Sequence, residues 1–389
     1  MANNQADHIL SAAARLCLEQ GLGALTMRSA AAAAEVTASA IVYHFKTRER
    51  LLAAVLGRLA EGIEQSRRSL AAAFDAEQAA FADKPAMVSA ILCRLVDEQG
   101  RATITLLELA RLLRGSDVAQ DSQTAMVQET GRADAFWQSL PHIAEEDPEE
   151  RAIWAATAQG LISLAMLDRH PVARDARIVR VLSRLADRLA RREVALLPPV
   201  ALPDQAAKVA RPAGKQQIVD ATIRLSGEGG IEPLTHRKIA AAAGLSVAST
   251  TYFYGSKEDI VVDAAQELQA RTMDAVVHRR VPTSTMLSRI TLDEKNEERA
   301  EIAALAAFSA AASRGDELSG LAASLRRLRG IDGARWLEAR GGERIDRLDG
   351  MIWAAASTTL TQQALLRPAA ERAKLLDECS EAWLVRLFG

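Results

Sequence analysis

The stretch LTMRSAAAAAEVTASAIVYHFKTRERLL at residues 25–52 decides the fold, because it recurs at residues 234–261 as LTHRKIAAAAGLSVASTTYFYGSKEDIV. A longer alignment of residues 9–51 with residues 218–260 needs no gap, and fifteen of its forty-three pairs are identical. The period is far too long for a solenoid, whose units run about 20–50 residues. The chain therefore contains a duplicated domain, and we expect one kind of site in two copies.

The composition favours an all-α protein. Of the 389 residues 49% are hydrophobic and only 4% are aromatic, and no run of alternating β-branched residues stands out. The first residues do not resemble a signal peptide and no long uncharged apolar segment follows, so we expect a cytoplasmic protein without membrane contact. The net charge of −2 argues against a generic nucleic-acid coat. Any DNA binding must come from the local placement of cations.

Each repeated segment has the pattern of four helices. Gly21 and Gly230 end an apolar helical pattern, and the next two helices are short, with a tight turn at Glu35 or Gly244 between them. Serine or threonine stands at each expected N-cap: Thr26, Thr37 and Thr47 in the first copy, and Thr235, Ser246 and Ser256 in the second. This pattern predicts a helix-turn-helix, with an αα-hairpin that binds nothing as the alternative.

The two segments resemble the DNA-binding domain of TetR-type transcriptional repressors. The resemblance covers about fifty residues in each copy and rests on the spacing, the capped fourth helix and an aromatic cluster, which is AIVYHFKTRE at residues 40–49 and YFYGSKE at residues 252–258. It implies two TetR-type units fused in tandem, each with a helix-turn-helix and a helical-bundle regulatory domain. Its implied partners are a double-stranded DNA operator and a small-molecule effector.

The resemblance also implies which residues contact DNA, and their chemistry agrees, because phosphates attract cations and hydroxyls while bases are read in the major groove. The implied phosphate contacts are Thr26, Tyr43, His44, Lys46 and Arg48 in the first copy and Thr235, Tyr252 and Lys257 in the second. Arg28 and Arg237 can reach a phosphate or a guanine edge. The implied groove-facing residues are Thr37, Ala38 and Ser39 in the first copy and Ser246, Val247 and Ser249 in the second.

Two departures from the family pattern affect this interpretation. Glu35 stands where the second copy has Gly244, which is unfavourable if the turn requires positive φ and brings a negative charge close to DNA. Both groove helices lack long polar side chains, so contacts with thymine methyl groups and DNA shape must contribute more to specificity. Because the two helices differ, we expect an asymmetric operator.

A second repeat lies in the two predicted ligand-binding and dimerisation domains, residues 53–195 and 262–389, which we call the regulatory halves. Ile-Trp-Ala-Ala at residues 153–156 recurs at residues 352–355, and a last amphipathic helix follows each. In the resembled family the last two helices of two subunits form a four-helix bundle. One chain with two such pairs predicts an intramolecular pseudo-dimer, while a homodimer of whole chains remains possible.

The sequence indicates the effector-binding residues less specifically than it indicates the DNA-binding residues. A cavity lined by apolar residues would suit a partly apolar effector, although a plain helical core explains the same residues. The candidates are Met87, Ile91, Phe136, Trp137, Trp154 and Met166. No catalytic or metal-binding motif occurs, so we expect neither an enzyme nor a metal or other cofactor.

The proline-rich break near residue 200 separates the two copies. The predicted domains are a DNA-binding domain at 1–52, a ligand-binding and dimerisation domain at 53–195, a linker at 196–214, a second DNA-binding domain at 215–261 and a second ligand-binding and dimerisation domain at 262–389. The predicted function is a transcriptional repressor that a small molecule releases from its operator. The alternative is a helical interaction or scaffold protein derived from a regulator, with one or both DNA-binding units degenerate.

Overall fold

A computed structural model describes residues 2–76, 83–199, 211–278, 286–292, 297–314 and 318–389, and within these ranges the regular structure is helical, without a strand. The all-α prediction is confirmed. In chain order the helices are α1 (Ala2–Gln20), α2 (Met27–Ala33), α3 (Ala38–Phe45), α4 (Arg48–Ala76), α5 (Lys84–Leu112), α6 (Ala119–Ser139), α7 (Pro148–Ala165), α8 (Pro171–Leu189), α9 (Ala213–Gly229), α10 (His236–Ala243), α11 (Val247–Phe253), α12 (Lys257–His278), α13 (Met286–Leu292), α14 (Glu297–Arg314), α15 (Ser319–Leu328), α16 (Ile331–Ala339), α17 (Arg347–Leu366) and α18 (Ala369–Phe388).

The first repeated segment folds as α1 to α4, with the predicted caps in place. The Thr26 hydroxyl accepts a hydrogen bond from the Ser29 amide at 3.0 Å, and the Thr37 hydroxyl accepts one from the Ala40 amide at 3.3 Å. Thr47 caps α4 in the same way, through the amide of Arg50 at 3.3 Å. Ala30 and Ala31 of α2 are buried in the unit's core, and their small side chains let α2 approach α3 closely. The predicted helix-turn-helix arrangement is therefore present.

The second segment repeats this arrangement as α9 to α12. The hydroxyl groups of Thr235 and Ser246 cap α10 and α11, and Ser256 caps the start of α12. A polar cluster ties the first helix of this unit to the fourth: Asp263 on α12 forms ion pairs with Arg211 at 2.7 Å and with Lys215 at 3.2 Å. These ion pairs hold the start of α9 against α12.

The helices run through the predicted domain boundaries. Both α4 and α12 are continuous across the positions at which the sequence suggested a change of domain, 52/53 and 261/262. The core of the first unit also includes Leu106 and Leu109 of α5. The DNA-binding unit and the regulatory half thus share helices. The predicted linker includes residues 200–210, which lie outside the described residues, and α9 already begins at Ala213.

The regulatory halves pack together through α7, α8, α17 and α18. Their side chains share one hydrophobic core, to which Trp154 and Leu185 contribute from the first half and Ile352 and Trp383 from the second. Helix α7 packs on α8 and α17, and α18 packs on α8 and α17. The four helices thus share one core, and the pseudo-dimer expected from the repeated Ile-Trp-Ala-Ala segments stays a prediction.

The closest approach in this bundle is between α7 and α17. A Cβ atom at Gly160 would lie only 2.1 Å from the carbonyl oxygen of Ala355, so the helices touch backbone to backbone there. The corresponding position of the other helix is Thr359, whose hydroxyl donates to the Ala156 carbonyl at 2.8 Å. Corresponding positions therefore make different contacts across the pseudo-twofold arrangement.

Ion pairs cross between the halves at both ends of the bundle. Asp349 of α17 is completely buried and accepts hydrogen bonds from Arg184 and Arg188 of α8 at 2.8–3.0 Å. At the same position in α7, Glu150 forms an ion pair with Arg386 of α18 at 3.0 Å. The duplication thus extends to the polar contacts that join the copies. In the described part of the chain no helix is both long and apolar enough to span a membrane.

Candidate nucleic-acid interface

The two groove helices, α3 and α11, present an outward face at their first turns. Thr37, Ala38 and Ser39 are exposed in the first copy, and Ser246 and Val247 are exposed in the second, where Ser249 is half-buried. In each helix the cap hydroxyl accepts a hydrogen bond from one first-turn amide, that of Ala40 or Ser249. The predicted groove residues therefore lie together on one face in each copy.

A highly exposed tyrosine lies near the end of each groove helix. Tyr43 is 77% exposed and Tyr252 is 84% exposed, which is unusual for side chains of this size. Tyr43 packs only edge to face on its neighbour His44, whose Nε2 atom lies 3.4 Å from the amide oxygen of Gln5. An exposed phenol can donate to a phosphate, and the contacts predicted at Tyr43 and Tyr252 stay predictions.

The cations of the first copy differ in their roles. Arg28, in the first turn of α2, and Lys46, at the end of α3, are exposed. The Arg48 side chain instead turns inward, and its guanidinium donates to the carbonyl groups of Leu25 at 2.6 Å and Leu22 at 2.9 Å. These bonds hold the segment that leads into α2, and the phosphate contact predicted at Arg48 stays a prediction.

The cations of the second copy divide in the same way. Thr235 and Arg237 are exposed at the start of α10, together with Lys238, which sequence reasoning left out of the site although its position beside Arg237 indicates it. Lys257 is half-buried and lines a cavity of about 560 Å³ together with Glu19 and Gln20 of the first copy. It lies at the junction of the two copies, so a phosphate contact there stays a prediction.

The two DNA-binding units touch each other at this junction. Glu232, before α10, packs against the segment before α2, where a Cβ atom at Gly23 would lie 2.7 Å from a Glu232 carboxylate oxygen. Arg314 of α14 forms an ion pair with Glu108 of α5 beside this contact. A cavity of about 240 Å³ remains between the units, with Thr26 and residues 229–233 among its lining. The relative placement of the units thus depends on contacts between copies.

The turn between the two short helices has the same left-handed backbone in both copies. Gly244 has a φ of 69°, and Glu35 has a φ of 52° at the corresponding position. Glycine adopts this region freely, whereas a residue with a Cβ pays about 1–2 kcal/mol. The cost that the sequence predicted at Glu35 is therefore present.

Replacing Glu35 with glycine is expected to raise the free energy of unfolding by about 0.5–1 kcal/mol, because relief of strain exceeds the added entropy of the unfolded chain. Urea unfolding measures the change. The control is Glu35→Ala, which removes the charge but retains the Cβ atom and should give little stabilisation. Equal stabilisation by both variants would show that charge, and not backbone conformation, is the cause.

The predicted effector residues form a packed core. Met87, Ile91, Trp137 and Trp154 are buried in the large shared core, and the partly buried Phe136 and Met166 pack against it. Four cavities are found within the described ranges, and other side chains line all four of them. The plain-core alternative accounts for this placement, and an effector contact at these residues stays a prediction. The described residues also contain no cluster of three or more potential metal ligands.

Comparison with known proteins gives matches at the two DNA-binding units. The model of the tetR family of bacterial regulatory proteins matches residues 9–55 and 218–264. The HTH-type transcriptional regulator BetI of Rhizobium meliloti (strain 1021) is 30% identical over 113 residues, which are 28% of this chain and 56% of BetI. The HTH-type transcriptional dual regulator CecR of Shigella flexneri is 44% identical over 52 residues, which are 13% of this chain and 23% of CecR.

The likeness is local. The chain spans about half the length of BetI and about a quarter of CecR. A crystal structure of the multidrug binding protein EbrR complexed with imidazole covers 45% of this chain and 93% of its own, at 21% identity and a TM-score of 0.34, too low to inform function. The two family matches coincide with α1–α4 and α9–α12. The chain therefore carries, in tandem, two segments that each match the model of the tetR family of bacterial regulatory proteins.

Proposed function

We propose that the protein is a DNA-binding transcriptional regulator whose two helix-turn-helix units bind one operator. The observation that carries the proposal is the pair of capped, exposed first turns on α3 and α11, each in a unit that matches the family. Arg28 and Arg237 lie exposed at corresponding positions beside them. Each unit thus combines a helix for the major groove with a cation for the backbone.

The two units are expected to read different half-sites. The first turn of α3 carries Ala38 and Ser39, while that of α11 carries Val247, whose exposed branched side chain suits a thymine methyl group. The bundle of α7, α8, α17 and α18 supports one chain acting as the pseudo-dimer. A homodimeric regulator presents identical helices and favours a palindrome, whereas this chain should favour an asymmetric operator.

We propose further that the protein represses transcription and releases its operator when a small molecule binds. Support comes from the direct connection between the regulatory halves and the reading helices, since α4 and α12 belong to both. An effector at Trp137 and Trp154 would have to open a closed core. Binding of this kind would move α5, which packs on both α4 and α7.

Selection from a random pool of DNA duplexes tests the architecture. We expect one non-palindromic sequence to be enriched, and light scattering of its complex to give one chain per duplex. The selected duplex with one half-site scrambled is the control and should bind weakly. Enrichment of a palindrome, with two chains per duplex, would reject the intramolecular arrangement.

Replacing Arg237 with alanine is expected to weaken binding to all duplexes and to reduce the slope of log affinity against log salt by about one, as the loss of one phosphate contact does. The matched control is Arg192→Ala, which removes an exposed cation that follows α8 and lies outside both DNA-binding units. Lys257→Ala in the same titration tests the predicted contact at the junction. An unchanged slope for Arg237→Ala would place this side chain away from the backbone.

Glu35 favours a second function, an interaction or scaffold protein with a degenerate first unit. Its exposed carboxylate sits in the turn of the first unit, where a negative charge opposes the approach of phosphates. If the first unit is degenerate, mobility-shift assays across salt concentrations should show that the first unit has no preference among DNA sequences. Restoration of binding by Glu35→Gly would identify the turn as the cause.

A further inference from the structure

A strongly cationic cavity lies between the two regulatory halves, apart from the DNA-binding units. Its volume is about 150 Å³, and its walls come from α8 of the first half and from the end of α15 and the start of α17 in the second. Five arginines line it: Arg177, Arg180, Arg326, Arg329 and Arg347. The spacing of three within the pairs Arg177/Arg180 and Arg326/Arg329 brings each pair to one side of its segment.

The positive charge of this cavity is poorly compensated. Asp168 forms ion pairs with both Arg177 and Arg329, the latter at 2.9 Å, while Arg326 donates to the Leu167 carbonyl at 2.7 Å. Within the described ranges, no ion pair is found for Arg180 or Arg347. Among the described residues, the ion pairs found for these five guanidinium groups all involve one carboxylate, that of Asp168.

Arg329 is the most constrained of the five. Its side chain is buried, with 8% of the residue exposed, and its Nε atom and second terminal nitrogen have no hydrogen-bond partner. Desolvation lowers the pKa of Arg329, and the nearby charges of Arg177 and Arg326 act in the same direction. Unsatisfied donors on a buried cation are costly unless an acceptor reaches them. An anion with several acceptor oxygens could accept hydrogen bonds from both of these donors.

We infer that this cavity binds a phosphate group, either free or carried by a small metabolite, between the two halves of the chain. Guanidinium groups match the oxygens of a phosphate in geometry and remain charged, and a dianion offsets more of the excess charge than a carboxylate does. The cavity is smaller than the roughly 300–1,000 Å³ of typical ligand pockets, so it suits the phosphate group itself. Any attached metabolite would extend past the exposed Arg180 into solvent.

A bound phosphate would bridge α8 and α17 and should therefore stabilise the pairing of the halves. A ligand that binds only the folded state raises the melting temperature, and the rise grows with the logarithm of one plus the ratio of ligand concentration to Kd. This inference concerns binding to the bundle and does not depend on the proposed DNA binding. It can be tested on the full chain in the absence of DNA.

Isothermal titration with inorganic phosphate, against sodium chloride at equal ionic strength, tests the inference. We expect one saturable site per chain and a higher melting temperature in phosphate than in chloride. A second titration with glycerol 3-phosphate distinguishes the sources: tighter binding of the ester indicates a phosphorylated metabolite, and equal or tighter binding of inorganic phosphate indicates the free ion. Heats that do not saturate in either titration would overturn the inference.

Two variants locate the site. Arg180→Gln and Arg347→Gln remove cations without an ion pair among the described residues, so both should fold normally and together weaken phosphate binding at least tenfold. Arg329→Gln should abolish binding, and circular dichroism will show whether that variant is folded. Arg192→Gln, which removes an exposed cation elsewhere on the surface, should leave the affinity unchanged. Unchanged binding in the Arg180→Gln/Arg347→Gln double variant would place the anion elsewhere.

Discussion

Replacing Asp349 with asparagine is expected to lower the free energy of unfolding by about 3 kcal/mol, at the lower end of the range for breaking a buried ion pair, because it removes the carboxylate partner of Arg188 and one of the two carboxylate partners of Arg184. The Asp349 carboxylate accepts bonds from the guanidinium groups of Arg184 and Arg188 and from the backbone amide of Asp346. Arg184 is itself buried, so solvent cannot replace the lost charge. Urea unfolding of the full chain, followed by circular dichroism, measures the loss.

The matched control for Asp349→Asn is Arg192→Gln, on the same side of the bundle. Arg192 lies 3.6 Å from Asp187, but the Arg192 side chain is 69% exposed and that of Asp187 is 38% exposed, and surface pairs of this kind contribute about 0–1 kcal/mol. If Asp349→Asn unfolds at the same urea concentration as the control, the polar contacts between the halves contribute little and the hydrophobic core alone holds them together.

Replacing Gly160 with valine should cost about 3 kcal/mol, near the upper end of the range for overpacked cores. A Cβ atom there would meet the carbonyl oxygen, carbonyl carbon and Cα atom of Ala355 within 2.8 Å. These are backbone atoms of a helix, so they cannot move aside as a flexible side chain would. Relief requires α7 and α17 to separate along their contact, and the unfolding midpoint in urea should fall accordingly.

Gly57→Ala is the control for helix propensity. Gly57 lies within α4 and a Cβ atom there would meet no atom within 4 Å, so alanine should stabilise the chain by about 0.5–1 kcal/mol. Both substitutions add carbon atoms to a helical glycine, and they should change the free energy of unfolding in opposite directions. Stabilisation by Gly160→Val would mean that α7 and α17 do not touch in solution.

Local chemistry made the DNA-binding units predictable. An N-cap needs only a hydroxyl and an amide three residues on, so Thr26, Thr37 and Thr235 could be assigned from the sequence, and the structure confirms them. The left-handed turn at Glu35 could be predicted because the second copy has glycine at that position. The duplication itself supplied this comparison.

Contacts between distant residues were not predictable in this way. The sequence places Arg48 beside the aromatic cluster, but its bonds to Leu22 and Leu25 depend on how α4 packs on the preceding segment. The arginine pairs on α8 and near α15 are visible in the sequence, whereas their convergence on one cavity follows from the packing of the two halves. Apolar residues such as Trp137 carry no pattern that distinguishes a core from an empty pocket.

The differing contacts of α7 and α17 affect how such a chain can evolve. Gly160 contacts Ala355, whereas Thr359 contacts Ala156. In a symmetric homodimer every substitution appears on both sides of the axis and must fit its own copy. Here each side varies alone, so one helix can hold glycine while its counterpart holds threonine. Because the halves are covalently joined, their effective concentration is set by the chain and not by expression. In a cell with only a few molecules of this protein, the two halves of each chain should therefore stay paired, whereas a homodimer at the same concentration would dissociate.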